Sequence, residues 1–170
     1  MQIIKYIILF VILLTTTLIG RLLGKRYIDR LTELEEMKNA LNIFKTKIKF
    51  TYEPIPEVFN EISENTNDNI GKIFKIATEK MKKNQNANIA WEEAIEESNT
   101  NLNKEDRKTI KMLAKMLGQT DVEGQVSQIE VTEEFLEKQI QDAIRERQKN
   151  EKLYTRLGTI VGVAIVIILC

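Results

Sequence analysis

Apolar residues gather at the two ends of the chain and become periodic between them. Ile3 to Gly20 is apolar apart from Lys5 and the threonines Thr15, Thr16 and Thr17. Counted out to Leu23, with Lys5 and Arg21 laying their stems along the run, it reaches about 21 residues, enough for a bilayer core of roughly 30 Å. A cleaved signal peptide is the competing reading. No small-x-small cleavage site follows, however, and Arg21, Lys25 and Arg26 suit a stop-transfer flank. Leu157 to Cys170 carries no charge. As a helix it is about 21 Å long, short for a span, and whether it crosses fully stays open. Tyr154 at an interface and a snorkelling Arg156 lengthen it by nearly a turn. Its all-round apolar surface, Ile165 to Leu169 included, favours lipid over a buried core helix.

Between the ends the pattern is helical throughout. Leu31, Leu34, Met37, Leu41, Phe44 and Ile48 form a stripe close to a heptad, continuing from the first apolar run with Gly24 as a flex point. Pro54 and Pro56 stop that helix in Thr51-Tyr52-Glu53-Pro54-Ile55-Pro56, because each disfavours helix in the residue before it. Pro56 suits the first turn of a new helix that buries Val58, Phe59 and Ile62. Asn67 or Asp68 caps the next, whose face is Ile70, Ile73, Phe74, Ala77 and Met81. A polar linker, Lys82 to Asn86, leads to a helix from about Asn88 that buries Trp91, Ala94 and Ile95. Asn103 with Asp106 resembles a capping box. It opens a helix with Ile110, Leu113, Ala114 and Leu117 inward, and Gly118 follows as its C′ residue.

The stretch Leu117-Gly118-Gln119-Thr120-Asp121-Val122-Glu123-Gly124-Gln125 then turns the chain, with Asp121 placed to cap the next helix. That helix is long, with Val122, Val126, Ile129, Phe135, Leu136, Ile140 and Ala143 along its stripe. Its charged stretch, Glu137 to Lys152, carries the chain back to the second apolar end. The predicted fold is all-α: a compact bundle of about six helices over residues 25–156, anchored by membrane helices at 1–24 and 157–170.

Charge sets the orientation. Arg21, Lys25, Arg26 and Arg30 follow the first apolar run, and Arg145, Arg147, Lys149, Lys152 and Arg156 precede the second. Both sets place the middle of the chain in the cytoplasm and both termini outside. Residues 25–156 hold 23 basic and all 25 acidic side chains, a net of 23 − 25 = −2. The whole chain is neutral, so nothing draws it to nucleic acid. The basic run from Arg145 to Arg156 answers to topology and to anionic lipid. Gly158-x-x-x-Gly162 and Gly20-x-x-x-Gly24 have the spacing that lets membrane helices approach closely, within or between chains.

Catalytic chemistry finds little purchase. The chain has no His, and its one Cys is Cys170. No phosphate-binding glycine loop or metal-ligand spacing is present. The carboxylate pairs Glu35-Glu36, Glu92-Glu93, Glu96-Glu97 and Glu133-Glu134 read as solvated helix faces. The expectation is a non-enzyme without cofactor or metal.

Several pieces, in this order and spacing, resemble the stage III sporulation protein AB family over essentially the whole chain. They are the first span with its basic flank, Leu34 to Ile48 leading into Thr51 to Phe59, Ile70-Gly71-Lys72-Ile73-Phe74, and Ala90-Trp91-Glu92-Glu93-Ala94. They continue with Leu117-Gly118, Asp121 and Gln125, and with Lys152-Leu153-Tyr154 before Leu157-Gly158. Tyr52-Glu53 departs from the smaller residue expected before Pro54.

The resemblance implies a component of the secretion-like channel between mother cell and forespore that endospore formation needs. It implies a cytosolic domain similar to the helical domain of the type II secretion inner-membrane platform protein. It also implies a place in the mother-cell membrane, with a cytosolic secretion-type ATPase and other membrane proteins of the same operon as partners. The partner-binding candidates are then Tyr52, Pro54 and Pro56 in the corner, and Gly118, Gln119, Asp121 and Gln125 in the loop; Gly158 and Gly162 are the membrane-helix packing candidates. Gly118, Gly124, Pro54 and Pro56 read equally well as plain turn residues. A self-associating membrane scaffold or signalling coiled coil, built on the stripes of the first and last helices, is the alternative.

Overall fold

A computed structural model describes residues 2–66 and 68–169. Among them the chain forms α1 (Gln2–Phe50), α2 (Ile55–Asn65), α3 (Asp68–Lys82), α4 (Ala87–Glu97), α5 (Lys104–Lys111), a 3-10 turn (Met112–Lys115) and α6 (Val122–Leu169). The all-α expectation holds. The cap expected at Asn67 or Asp68, and Cys170, lie outside the described side chains. The chain divides into two compact units, Met1–Leu31 with Asp142–Cys170, and Thr32–Gln141.

The first unit is an antiparallel pair made by the start of α1 and the end of α6. Both helices carry an apolar stretch long enough to cross a membrane. The glycines set how near they come. A Cβ on Gly20 would stand 2.6 Å from the Tyr154 carbonyl oxygen and 2.9 Å from Gly158 Cα. A Cβ on Gly158 would stand 2.7 Å from the Thr16 carbonyl oxygen, and one on Gly162 would stand 2.9 Å from Leu13 Cδ1. Gly24 backs onto the Glu151 carbonyl oxygen in the same way. It is therefore a point of close approach inside an unbroken helix, not the flex point its sequence context predicted. Tyr27 stacks on Tyr154 with ring centroids 5.8 Å apart. Beyond them Arg30 Nη1 bonds Glu146 Oε2 at 2.6 Å.

The second unit is built on an aromatic centre. Phe59 meets Phe44 and Phe74 edge-on at 5.0 Å each, and Trp91 lies 5.3 Å from Phe59 and 5.1 Å from Phe74. All four side chains are fully buried. Such contacts contribute about 0.5–1.5 kcal/mol each beyond their burial. The indole N–H of Trp91 donates to the Ile110 carbonyl at 3.0 Å, which satisfies its one polar atom. Trp91 is thus core.

Leu34, Met37, Leu41 and Ile48 of α1 complete one wall, and Ile129, Leu136 and Ile140 of α6 another. On α6 the inward stripe passes through Thr132, fully buried, with its hydroxyl donating to the Gln128 carbonyl. Phe135, read from the sequence as inward, is 42% exposed and sits beneath the Lys138 ammonium. One residue of helix is about 100° of rotation, so Leu136 and Phe135 cannot share the core face. Met81, Val122 and Val126, also read as inward, are only half-buried.

A polar clamp fastens this unit. Glu33, 3% exposed, accepts from Asn69 Nδ2 at 2.8 Å, from the Asn101 backbone N–H at 2.6 Å and from Asn101 Nδ2 at 3.0 Å. Arg107 donates to the Ile95, Ser98 and Leu102 carbonyls and to Thr100 Oγ1, closing the end of α4. The capping box at α5 forms as expected: Asp106 N–H donates to Asn103 Oδ1, and Asn103 N–H to Asp106 Oδ2, both at 2.9 Å. The helix it opens is shorter than expected. After Lys111 it tightens into the 3-10 turn that carries Leu113 and Ala114 into the core.

Candidate docking surface and family

The corner after α1 is made by residues that cannot continue a helix. Thr51 returns its N–H and its hydroxyl to the Lys47 carbonyl, at 2.8 and 2.7 Å. Tyr52 then takes φ +54°, the left-handed region, with its ring 75% exposed. A bulky side chain there costs about 1–3 kcal/mol. This explains why a smaller residue is expected before Pro54. Pro54, with ψ 144°, stands at the N-cap of α2, and Pro56 enters its first turn half-buried. The Pro54 carbonyl accepts from Glu57 and Val58 N–H. Lys47 pins the corner, reaching Glu61 at 2.7 Å and Glu53 at 3.5 Å.

The loop before α6 is equally determined. Gly118 has φ +67°, and Gln119 N–H returns to the Met116 carbonyl at 3.1 Å. Asp121 Oδ1 accepts from Gly124 N–H at 2.9 Å, so Asp121 caps α6. A Cβ on Gly124 would crowd the Thr120 and Asp121 side chains, which would have to shift to keep that cap. Gln125, half-buried, donates from Nε2 to the Thr120 carbonyl at 3.1 Å, while its Oε1 is buried without a partner among the described residues. Gln119 is exposed, and its side chain makes no hydrogen bond among the described residues.

Corner and loop come together. A Cβ at Gly118 would lie 3.9 Å from Ile55 Cδ1 and 3.4 Å from the Ala87 Cβ. Ile55 belongs to the corner, and Ala87 opens α4 after a third tight turn, whose Asn84 also has a left-handed φ of +63°. One end of the second unit therefore gathers three turns, each with one left-handed residue. Around them stand exposed apolar side chains: Phe50 and Tyr52, and also Met116 and Ile89. The sequence pattern offers two of the three turns as docking candidates and reads the third, Lys82 to Asn86, only as a polar linker. A Gln-Asn-rich turn after a lysine pair gives no signal of where it lies in space. The glycine candidates Gly158 and Gly162 belong instead to the first unit, where they contact α1 of the same chain.

The described residues thus make a helical bundle unit and a close-packed pair of apolar helix ends, the build of a small membrane-anchored helical protein. The family model for stage III sporulation protein AB matches residues 5–170, and the chain belongs to that family. It is 24% identical over 161 residues to stage III sporulation protein AB of Bacillus subtilis (strain 168), covering 93% of this chain and 94% of that protein. Among solved structures it is similar to a stage III sporulation protein AB at TM-score 0.66 and 19% identity. That likeness covers 71% of this chain and 98% of the other, and speaks for the fold.

Proposed function

We propose that this sporulation protein is a non-enzymatic, membrane-anchored adaptor in the channel complex joining mother cell and forespore. In this reading the second unit faces the mother-cell cytoplasm and docks a cytosolic secretion-type ATPase on its three-turn end. The observation that carries the reading is Tyr52: an exposed aromatic on strained backbone, in the corner whose Ile55 lies against Gly118. Strain of that kind persists where the surrounding structure holds it, and it clusters at working surfaces. Exposed aromatics are also the side chains that anchor protein interfaces. The rigid neighbours Pro54, Ile55 and Ala87 keep the surface in one shape, which limits the entropy lost on docking.

The alternative, a self-associating coiled coil, has less to work with. Leu34, Met37, Leu41 and Phe44 of α1 and Ile129 and Leu136 of α6 are buried within one chain. They are not free to pair with another.

The test is cross-linking capture from sporulating cells. Tyr52→Gly relaxes the backbone while removing the ring, and Gln119→Lys places a charge on the loop without touching the Asp121 cap. Recovery of a cytosolic ATPase with the native chain, reduced about tenfold or more in either variant, supports the adaptor. Recovery of further copies of this chain alone, unchanged in the variants, overturns it.

A further inference from the structure

Where α1 and α6 leave their apolar stretches, six cations point outward. Arg21, Lys25 and Arg26 lie on α1, and Lys149, Lys152 and Arg156 on α6; all are exposed. The glycine contacts place them in one band about two helical turns deep. Gly20 lies against Tyr154 and Gly158, and Gly24 against Glu151. The stretch from 20 to 24 on one helix therefore faces 151 to 158 on the other. The apolar run of α1 ends at Leu23 and that of α6 begins at Leu157, so both boundaries fall within about a turn of each other. The stacked Tyr27 and Tyr154 stand at the same level, where amphipathic rings collect at a membrane interface.

None of these six cations has an ion-pair partner among the described residues. Of the four acids in these stretches three are taken, Glu146 by Arg30, Glu151 by Arg147 and Asp142 by Arg145, and the fourth, Asp29, makes no ion pair among the described residues. In the second unit lysines pair across helices, as Lys38 does with Glu137 and Lys80 with Glu93. Charge divides accordingly. Residues 21–31 and 142–156 hold nine basic and four acidic side chains, 9 − 4 = +5, whereas residues 32–141 hold 15 and 21, 15 − 21 = −6.

We infer that this collar is a binding surface for anionic phospholipid headgroups. The inference rests on the membrane-anchored reading and goes beyond it. Orientation during insertion needs only a count of positive residues. A lipid site needs them exposed, unpaired and close to the end of the apolar stretches, as they are here. Each cation near an anionic surface shifts the equilibrium by about fivefold.

The full chain, purified in a neutral detergent, is titrated with phosphatidylglycerol or phosphatidylcholine and read by native mass spectrometry. Native protein is expected to bind phosphatidylglycerol at least about tenfold more strongly, with the preference falling as salt rises. The variant Lys25→Gln/Arg26→Gln/Lys149→Gln/Lys152→Gln loses that preference. Lys72→Gln/Lys75→Gln, which neutralises two exposed lysines of α3, keeps it. Equal binding of the two lipids, or a preference intact in the fourfold variant, overturns the inference. A parallel flotation with pure phosphatidylcholine vesicles separates the two layers. Native and fourfold-variant chains both float if the apolar ends insert; if neither floats, the membrane reading itself fails and the collar falls with it.

Discussion

Gly20 and Gly158 meet backbone to backbone: a Cβ on Gly158 would stand 2.8 Å from Gly20 Cα and 3.1 Å from its nitrogen. Neither helix can yield there without moving its whole axis. Gly158→Ile is therefore expected to cost about 1–3 kcal/mol by overpacking. The measurement is thermal unfolding in detergent followed by circular dichroism, with a change at the exposed neighbour, Ile160→Leu, as control. An unchanged midpoint for Gly158→Ile would mean that the two helices do not pack through these glycines.

Glu33 is a buried carboxylate whose partners are three amide N–H donors. Removing it leaves the half-buried Asn69 and Asn101 without the acceptor they share. Glu33→Ala should destabilise the second unit by about 3 kcal/mol, the scale for losing charge-assisted hydrogen bonds in the interior. Urea unfolding reads this directly. A loss under about 0.5 kcal/mol, the scale of an ordinary surface change, would contradict the clamp.

Two left-handed positions give opposite signs. Tyr52→Gly places the one residue without a Cβ at φ +54°, and stability is expected to rise by about 1 kcal/mol. Gly118→Ala forces a Cβ into φ +67° and should lower stability by about the same amount. If both changes moved stability in one direction, one of the two backbone conformations would not be as described.

Acid should weaken the second unit in a traceable way. The Lys80 hydrogen bond holds the Glu93 carboxyl below its usual range; Lys111 does so for Glu96, and Lys38, with help from Gln141, for Glu137. A group depressed in the folded state contributes stability above its unfolded value, about 4.3. That contribution is lost as pH falls through the lower folded value. Unfolding midpoints are therefore expected to fall steadily below about pH 4.5. Lys38→Gln should remove the part due to Glu137 and flatten the curve. A midpoint independent of pH down to about 3, well under the ordinary carboxylate range, would rule these pairs out as contributors.

Much of this was legible in the pattern of residues, because helix periodicity and proline sterics are local. The stripe from Leu31 to Ile48, the stop at Thr51, the Asn103–Asp106 box and the two apolar ends all follow from neighbours within a few turns. Phe135 misled because a stripe seven positions wide admits two phases. Only the packing of Leu136 and the self-satisfied Thr132 hydroxyl choose between them. Glu33 was invisible, since its partners Asn69 and Asn101 are distant in sequence and nothing local distinguishes it from Glu35 or Glu36. The candidate surface was half legible. Glycine and proline marked the corner and the loop, but that Ile55, Ala87 and Gly118 meet is a property of the fold.

If the three-turn end of the second unit docks a cytosolic ATPase, a photo-cross-linking residue placed at Tyr52 captures that ATPase. The same residue at Gln119 and at exposed Lys75 on α3 completes the set, each in the full chain in sporulating cells. Cross-links to one cytosolic ATPase are expected from positions 52 and 119 and none from 75. Cross-links from 52 and 119 only to further copies of this chain, or to nothing while the chain is present at native level, would contradict that docking.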